Sequence, residues 1–276
     1  MSDWRSARPT SPAISAGGWL RVVLRGAALG VTTYGGLLLL LLLRLIERPL
    51  FGQNRPWTPW ITRAVCRLAL FELGIGLQIK GQAMSGPGAM VANHSGWMDI
   101  FALNAATRLY FVSKAEVAGW PGIGWLARAT GTVFITRKGT EARAQQLLFE
   151  ERLTHGHKLL FFPEGTSSDA LRVLPFKSTL FAAFFSPALR DALSVQPVSV
   201  VWHAPKGQDP RFYGWWGDMD FAPHLLKVLA ARRQGRVEVV FHPPLRVADF
   251  PDRKALTAAA EAMVRGAHPQ GLTAAA

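Results

Sequence analysis

Ala89-Met90-Val91-Ala92-Asn93-His94-Ser95-Gly96-Trp97-Met98-Asp99 runs from an apolar segment through a polar turn into helix-forming residues. The apolar segment predicts a strand buried on both faces, and Met98 to Ala106 predicts the helix that follows. A buried strand that passes through a short loop into a helix is the opening of an α/β unit. Its polar loop then stands at the carboxyl end of a strand, where α/β sheets place their sites.

The same alternation continues outward. Leu109 to Val112, Thr132 to Thr136, Leu159 to Phe162, Val195 to Trp202 and Val237 to Phe241 read as further strands. Helices are expected near Thr140 to His155, Lys177 to Asp191, Ala222 to Arg232 and Arg253 to Arg265. The expected fold is therefore α/β, a mixed and mostly buried sheet flanked by helices. Gly156 is placed to stop the Thr140 helix, and Pro163 forces the chain out of the strand before it, leaving Glu164, Gly165 and Thr166 in a post-strand loop.

Residues five apart do not share a helix face, so His94 and Asp99 meet only if the chain turns between them, which Gly96 makes easy. An imidazole backed by a carboxylate is a general base, because the carboxylate fixes the tautomer and stabilises the imidazolium that forms. Three other groups join this pair. Phe162-Pro163-Glu164-Gly165-Thr166-Ser167-Ser168 offers a carboxylate and hydroxyls on a rigid turn, Gly131 through Arg137 delivers a guanidinium at a strand end, and Phe111-Val112-Ser113-Lys114 delivers an ammonium. Arginine's planar fork suits an anionic headgroup.

His94-x4-Asp99, Gly131 to Arg137, Phe162 to Thr166 and Val195-Gln196-Pro197-Val198, in that order, resemble the four signature blocks of the glycerolipid acyltransferases, including the 1-acylglycerol-3-phosphate acyltransferases. The resemblance covers roughly Leu77 to Arg265. It implies His94 as general base toward an acceptor hydroxyl and Asp99 as its orienting partner. It further implies Arg137 at the acceptor headgroup, Glu164, Gly165 and Thr166 around the acceptor, and Pro197 in a packing block near the acyl pocket. It implies no metal, no bound cofactor and no acyl-enzyme, with acyl-CoA or acyl carrier protein as co-substrate. The chemistry is consistent: a thioester is already activated, so alignment, deprotonation of a hydroxyl and oxyanion stabilisation suffice.

The chain departs from the phosphate-using pattern at Ser167, where the phosphatidic-acid-forming members usually carry an arginine; Arg137 and Lys177 are the cations left to compensate, and Lys114 is a further substrate-binding candidate. Ser167-Ser168-Asp169 and the block from Phe212 to Asp220 resemble the bacterial lyso-ornithine-lipid acyltransferase branch. Ser167, Ser168, Asp218 and Asp220 are thus candidate acceptor-specificity residues, with Asp218 or Asp220 to meet a cationic amine. The expected acceptor is lysophosphatidic acid or lyso-ornithine lipid.

Composition supports a lipid setting. Hydrophobic residues make up 49% and charged residues 18% of 276 residues, with a mean hydropathy of +0.15. A net charge of +13 calls for an anionic partner. The basic residues interleave with Trp, Phe and Leu without zinc-finger or RNA-recognition spacing, so membrane lipid is expected and nucleic acid is not. Ala27 to Leu43 is an uncharged run ending in seven leucines, flanked by Arg21, Arg25, Arg44 and Arg48, and it reads as a retained membrane helix. Pro56 to Phe71 reads as an amphipathic interfacial helix carrying Arg63 and Arg67. The divisions are residues 1–26 as a basic juxtamembrane segment, 27–46 as the membrane helix, 47–76 as the interfacial helix and connection, 77–265 as the catalytic domain, and 266–276 as an Ala-rich tail. The expected location is a bacterial inner membrane, with the domain on the cytoplasmic side.

Cys66, the single cysteine, excludes an intrachain disulfide and reads as packing. His155 and His157 bracket Gly156 as helix-terminal cations rather than metal ligands. A membrane lipid hydrolase or thioesterase is the enzymatic alternative, weakened because the chain has no G-x-S-x-G elbow. A non-catalytic membrane-binding protein is the other, and it leaves His94, Asp99 and Glu164 at strand ends unexplained.

Overall fold

The computed structural model describes residue 4 and residues 13–86, 88–136 and 142–268. Among these, an eight-stranded mixed sheet is built from β1 (Gly76–Lys80), β2 (Gly88–Ala92), β3 (Tyr110–Lys114), β4 (Val133–Ile135), β5 (Leu159–Phe161), β6 (Ser194–His203), β7 (Arg236–Phe241) and β8 (Leu245–Arg246). The order is β1-β7-β6-β2-β5-β3-β4, with β8 also paired to β6. β2, β3, β4, β5 and β6 form the parallel half, while β7 and β8 run antiparallel to β6. The helices are α1 (Ala16–Phe51), α2 (Thr58–Leu73), α3 (Met98–Ala106), α4 (Ile123–Ala129), α5 (Ala142–Thr154), α6 (Phe221–Ala230) and α7 (Arg253–Gly266).

The alternation of β2 assigns the two layers. Met90 and Ala92 pack with Leu70, Leu73, Leu103, Val198, Val200 and Val228 on one face of the sheet. Ala89 and Val91 pack with Leu153, Phe161, Phe181, Leu256 and Val264 on the other. Both faces of the strand are covered, which is why its sequence shows no polar alternation. Pro197 sits within β6 without disturbing a ladder, because β8 pairs with Ser194 and Val195 while β7 pairs from Val198 onward. Its carbonyl accepts from His242 N at 3.0 Å.

Helix α1 has 36 residues and a mean window hydropathy of 1.9, about 54 Å at 1.5 Å per residue. By length and composition it can cross a bilayer. Its apolar side is turned outward, with Val31 74% and Leu45 71% exposed, as befits a helix that meets lipid. Two of its cations are turned inward: Arg21 Nε donates to Ala230 O at 2.8 Å and Arg25 Nη1 donates to Leu229 O and Ala231 O at 3.0 and 2.6 Å, capping the last carbonyls of α6. Glu47, fully buried, accepts from Trp57 N, Thr58 N and Thr58 Oγ1 and so holds the start of α2.

Several details differ from the sequence reading. Arg67 and Arg63, on the helix read as interfacial, both donate to Ala105 O at the end of α3, at 2.9 and 3.4 Å. The expected helix from Lys177 to Asp191 is a 3-10 segment, Ser178–Phe185, followed by turns, because Pro187 holds Ser186 extended. β1, β8 and α4 are elements the sequence reading did not include. His157 is not a helix-terminal cation: burial and the neighbouring Arg152 guanidinium pull its pKa down to about 4. Cys66 is buried, and burial pushes its thiol up to about 12, in keeping with a packing role.

Candidate active site

The parallel half of the sheet brings the candidate residues to one edge. β2 lies between β5 and β6, β3 follows β5, and β4 follows β3, so His94, Glu164 and Lys114 leave the carboxyl ends of parallel strands. Adjacent strands are about 4.8 Å apart. Arg137 lies outside the described residues, one position beyond Thr136 at the end of β4.

Asn93 fixes where β2 ends. Its amide donates to Val200 O and accepts from Val200 N, both at 2.8 Å, and the side chain is fully buried. It thus clamps the strand to β6 one residue before His94. The chain then turns, and Gly96 is required for close approach: a Cβ there would come within 3.0 Å of Trp215 Cβ. Trp215 N donates to Ser95 O at 2.8 Å, so the segment carrying Trp215 closes over the turn.

His94 Nδ1 meets Asp99 Oδ2 at 2.8 Å. With a carboxylate as partner, Nδ1 carries the proton and Nε2 keeps its lone pair. Asp99 is fully buried at the first turn of α3, and three further donors converge on it: Ser95 N at 2.7 Å, Gly96 N at 3.1 Å and Trp202 Nε1 at 2.7 Å. The imidazole itself is 21% exposed, and it stacks on Phe162 with ring centroids 3.9 Å apart. An oriented ring with one nitrogen committed and the other free to take a proton is the geometry of a general base.

Glu164 braces His94 from the next strand. Its Oε1 accepts from His94 N at 3.0 Å, and Ser168 N donates to His94 O at 2.8 Å, so both backbone groups of His94 are held by the loop after β5. Glu164 is only 2% exposed. Burial drives its pKa up to about 9 against the pull of the His94 and Leu174 amides, with Asp99 adding to the rise. At neutral pH it is an uncharged acid.

The remaining candidates fall into two groups. Lys177 joins the site: its backbone N–H donates to Pro163 O at 2.9 Å and its Nζ lies 2.8 Å from where a Cβ on Gly165 would stand. Gly165 has φ +72°, so glycine relieves strain there as well as leaving room for the ammonium. Thr166 is exposed and Ser167 half-buried on the same turn. Ser168 is turned inward, its hydroxyl donating to Arg172 O at 2.9 Å, and serves the loop rather than the open face. Asp218 and Asp220 are exposed just before α6, Asp220 occupying its N-cap position, and Lys114 is exposed at the end of β3.

Two features of the site escaped the sequence. Trp202 closes the carboxylate's coordination from β6, and Trp97 Nε1 donates to His224 Nδ1 at 3.0 Å, tying α6 to the turn. Burial pulls His224 down to about 3, so it stays neutral and able to accept. A tryptophan near the end of a buried, valine-rich strand is the one available hint, since a buried indole N–H needs a partner.

Residues 77–201 match the acyltransferase family. The chain is 62% identical over 245 residues to a lyso-ornithine lipid O-acyltransferase of Rhodobacter capsulatus, covering 89% of each chain. It is 36% identical to the enzyme of that name from Brucella abortus, covering 78% of this chain and 82% of the relative. A shorter match, 38% identical, covers 43% of this chain and 49% of a 1-acyl-sn-glycerol-3-phosphate acyltransferase of Neisseria gonorrhoeae. In fold it resembles the crystal structure of the 1-acyl-sn-glycerophosphate acyltransferase of Thermotoga maritima, with a TM-score of 0.61, 22% identity and coverage of 90% and 92% of the two chains. A parallel sheet edge carrying these blocks in order, and relatives that match along most of their length, identify the chain as a member of the acyltransferase family.

Proposed function

We propose that the chain transfers a fatty acyl group from a thioester to the hydroxyl of lyso-ornithine lipid, with His94 as general base. The observation that carries the catalytic part is the 2.8 Å contact of His94 Nδ1 with a buried Asp99 that accepts three further hydrogen bonds. His94 Nε2 takes the proton of the acceptor hydroxyl as its oxygen attacks the thioester carbonyl. Asp99 stabilises the imidazolium. The tetrahedral oxyanion collapses, the carbon–sulfur bond breaks, and the departing thiolate takes the proton back from His94, leaving an ester and a free thiol. Neither a side-chain nucleophile nor a metal takes part in these steps.

The acceptor assignment rests on the named relatives at 62% and 36% identity and on Ser167 standing where an arginine would face a phosphate. Lysophosphatidic acid is the second reading, favoured by Lys177 lying over Gly165. Acyl carrier protein or CoA carries the donor, and the reaction runs at the cytoplasmic face of a bacterial inner membrane.

The test incubates membranes containing the protein with labelled acyl-carrier-protein or acyl-CoA and either lysolipid, and resolves the products. Labelled ornithine lipid is the expected result. Labelled phosphatidic acid alone would transfer the assignment to the phosphate acceptor, and free fatty acid without esterified lipid would mean hydrolysis.

A further inference from the structure

A second cleft, of about 590 Å³, lies between the start of α1, the flank of α6 and the segment around Asp209 and Phe212. None of its lining residues belongs to the His94 loop or to the turn after β5. Its size falls within the range of small-molecule sites.

Ile14, Trp19, Phe212 and Leu226 make the walls apolar. The charges on them are not balanced. Asp209 is the one acid in the lining, and it is already paired with Arg211 at 2.8 Å. Lys227 stands half-buried with its Nζ 4.9 Å from the Phe212 ring centroid, and among the described residues no carboxylate lies within ion-pair distance of it. Burial holds its pKa down at about 8 against the pull of the Asp209 carboxylate. Arg232 adds a cation exposed just past the end of α6, and Arg21, the third in the lining, is engaged with Ala230 O.

The cleft also has a neighbour of definite character. Trp19, at its rim, continues along α1 into Leu20, Val23 and Leu24, which are 61%, 63% and 61% exposed. That is the apolar side of the helix suited to meet lipid, and a tryptophan at such a margin fits the interfacial zone. A ligand entering from there brings an apolar chain, and the unbalanced cations ask for an anionic head.

We propose that this cleft holds the headgroup and upper acyl chain of an anionic membrane phospholipid, bound as a resident lipid and not as the acyl acceptor. The phosphate sits beside Lys227 and Arg232, and the chain runs along Leu226 and Trp19. The assignment is independent of which lysolipid is acylated at His94.

Native mass spectrometry of the full chain in detergent, with phosphatidylglycerol or phosphatidylcholine added, tests it. The wild type retains one phosphatidylglycerol in preference to phosphatidylcholine. Lys227→Glu, which reverses the charge, and Leu226→Trp, which fills the cleft, each weaken that retention about tenfold, the scale of one lost charge-assisted contact. Both keep wild-type acyl transfer when substrates are supplied in micelles, which separates loss of the lipid from loss of the fold. If either variant fails to fold, Arg232→Glu at the exposed rim replaces it and is expected to weaken retention in the same direction. Equal retention of the two lipids overturns the proposal, as does undiminished phosphatidylglycerol on the folded variants. Retention of neither lipid also overturns it and leaves the cleft to the chain's own N-terminal residues.

Discussion

Asp99 carries more of the site than its sequence neighbourhood suggests. Its Oδ2 accepts from an imidazole and two backbone amides, and its Oδ1 accepts from an indole. Removing the indole donor with Trp202→Phe leaves the buried Oδ1 short of a partner, a loss of about 1.5–3 kcal/mol for a hydrogen bond to a charged group. If Asp99 orients the base, kcat falls about tenfold or more with the acceptor KM unchanged; a variant that changes only the melting temperature would make Trp202 a packing residue. Glu164 supplies a second test, of pH dependence. Its pKa is raised to about 9 in the folded chain, whereas the unfolded chain ionises near the ordinary glutamate value of about 4.3. Between those values the unfolded state binds fewer protons, so this group's contribution is full below the lower value and is lost as pH rises toward 9. Glu164→Gln keeps a neutral side chain and removes that slope, so its melting temperature is expected to gain on the wild type from pH 5 to pH 8.5; parallel curves would contradict the buried neutral acid. The His94–Asp99 pair is legible in the chain because five residues and a glycine define one turn. Trp202 is not, because it approaches from 103 residues away and only the placement of β6 beside β2 brings it there.

At the scale of elements, the site depends on where strands end, and Asn93 sets the end of β2. Asn93→Ala leaves both Val200 backbone groups without partners inside the sheet. At about 1–3 kcal/mol for each buried unsatisfied group, a loss of about 2–6 kcal/mol in unfolding free energy is expected from chemical denaturation. A loss below about 1 kcal/mol would mean that the clamp does not hold the strand. The buried strands β2, β5 and β6 are readable in the sequence because continuous apolar runs bounded by polar turns have few other interpretations. The edges are not. Among the described residues β1 pairs with β7 alone and is mostly exposed; its alternation, Leu77-Gln78-Ile79-Lys80, is only four residues long, the shortest run that reads as a strand. The segment Ser178–Phe185 has a helical run of apolar residues, yet Phe181 and Phe184 pack edge-on and tilted against Phe161 within a 3-10 turn before Pro187. Tertiary packing and a downstream proline decide that outcome.

For the whole molecule, charge and apolarity act on the same surface in different ways. The net charge of +13 attracts an anionic membrane over a range set by salt, while the outward apolar residues of α1 bind by burial and are indifferent to it. Association with vesicles containing phosphatidylglycerol is therefore expected to weaken from 0.1 M to about 1 M salt, where the screening length falls from about 10 Å to 3 Å, without being abolished. Complete release at high salt would mean that α1 is not engaged with lipid. The clamps from Arg21 and Arg25 to the end of α6 connect this membrane helix to the element that carries His224 and Trp97's partner nitrogen. The long apolar helix α1 and the turn that carries His94 are thus linked through α6.

The most direct test of the account compares acyl transfer by the wild type and His94→Ala, using membranes, a labelled thioester donor and the lysolipid that the wild type accepts. The account predicts a fall of about 10²–10⁴ in turnover, the range of general-base catalysis, with vesicle binding and melting temperature unchanged. Transfer at the wild-type rate by a folded His94→Ala chain would contradict it, and would remove the catalytic role from His94 and Asp99 together.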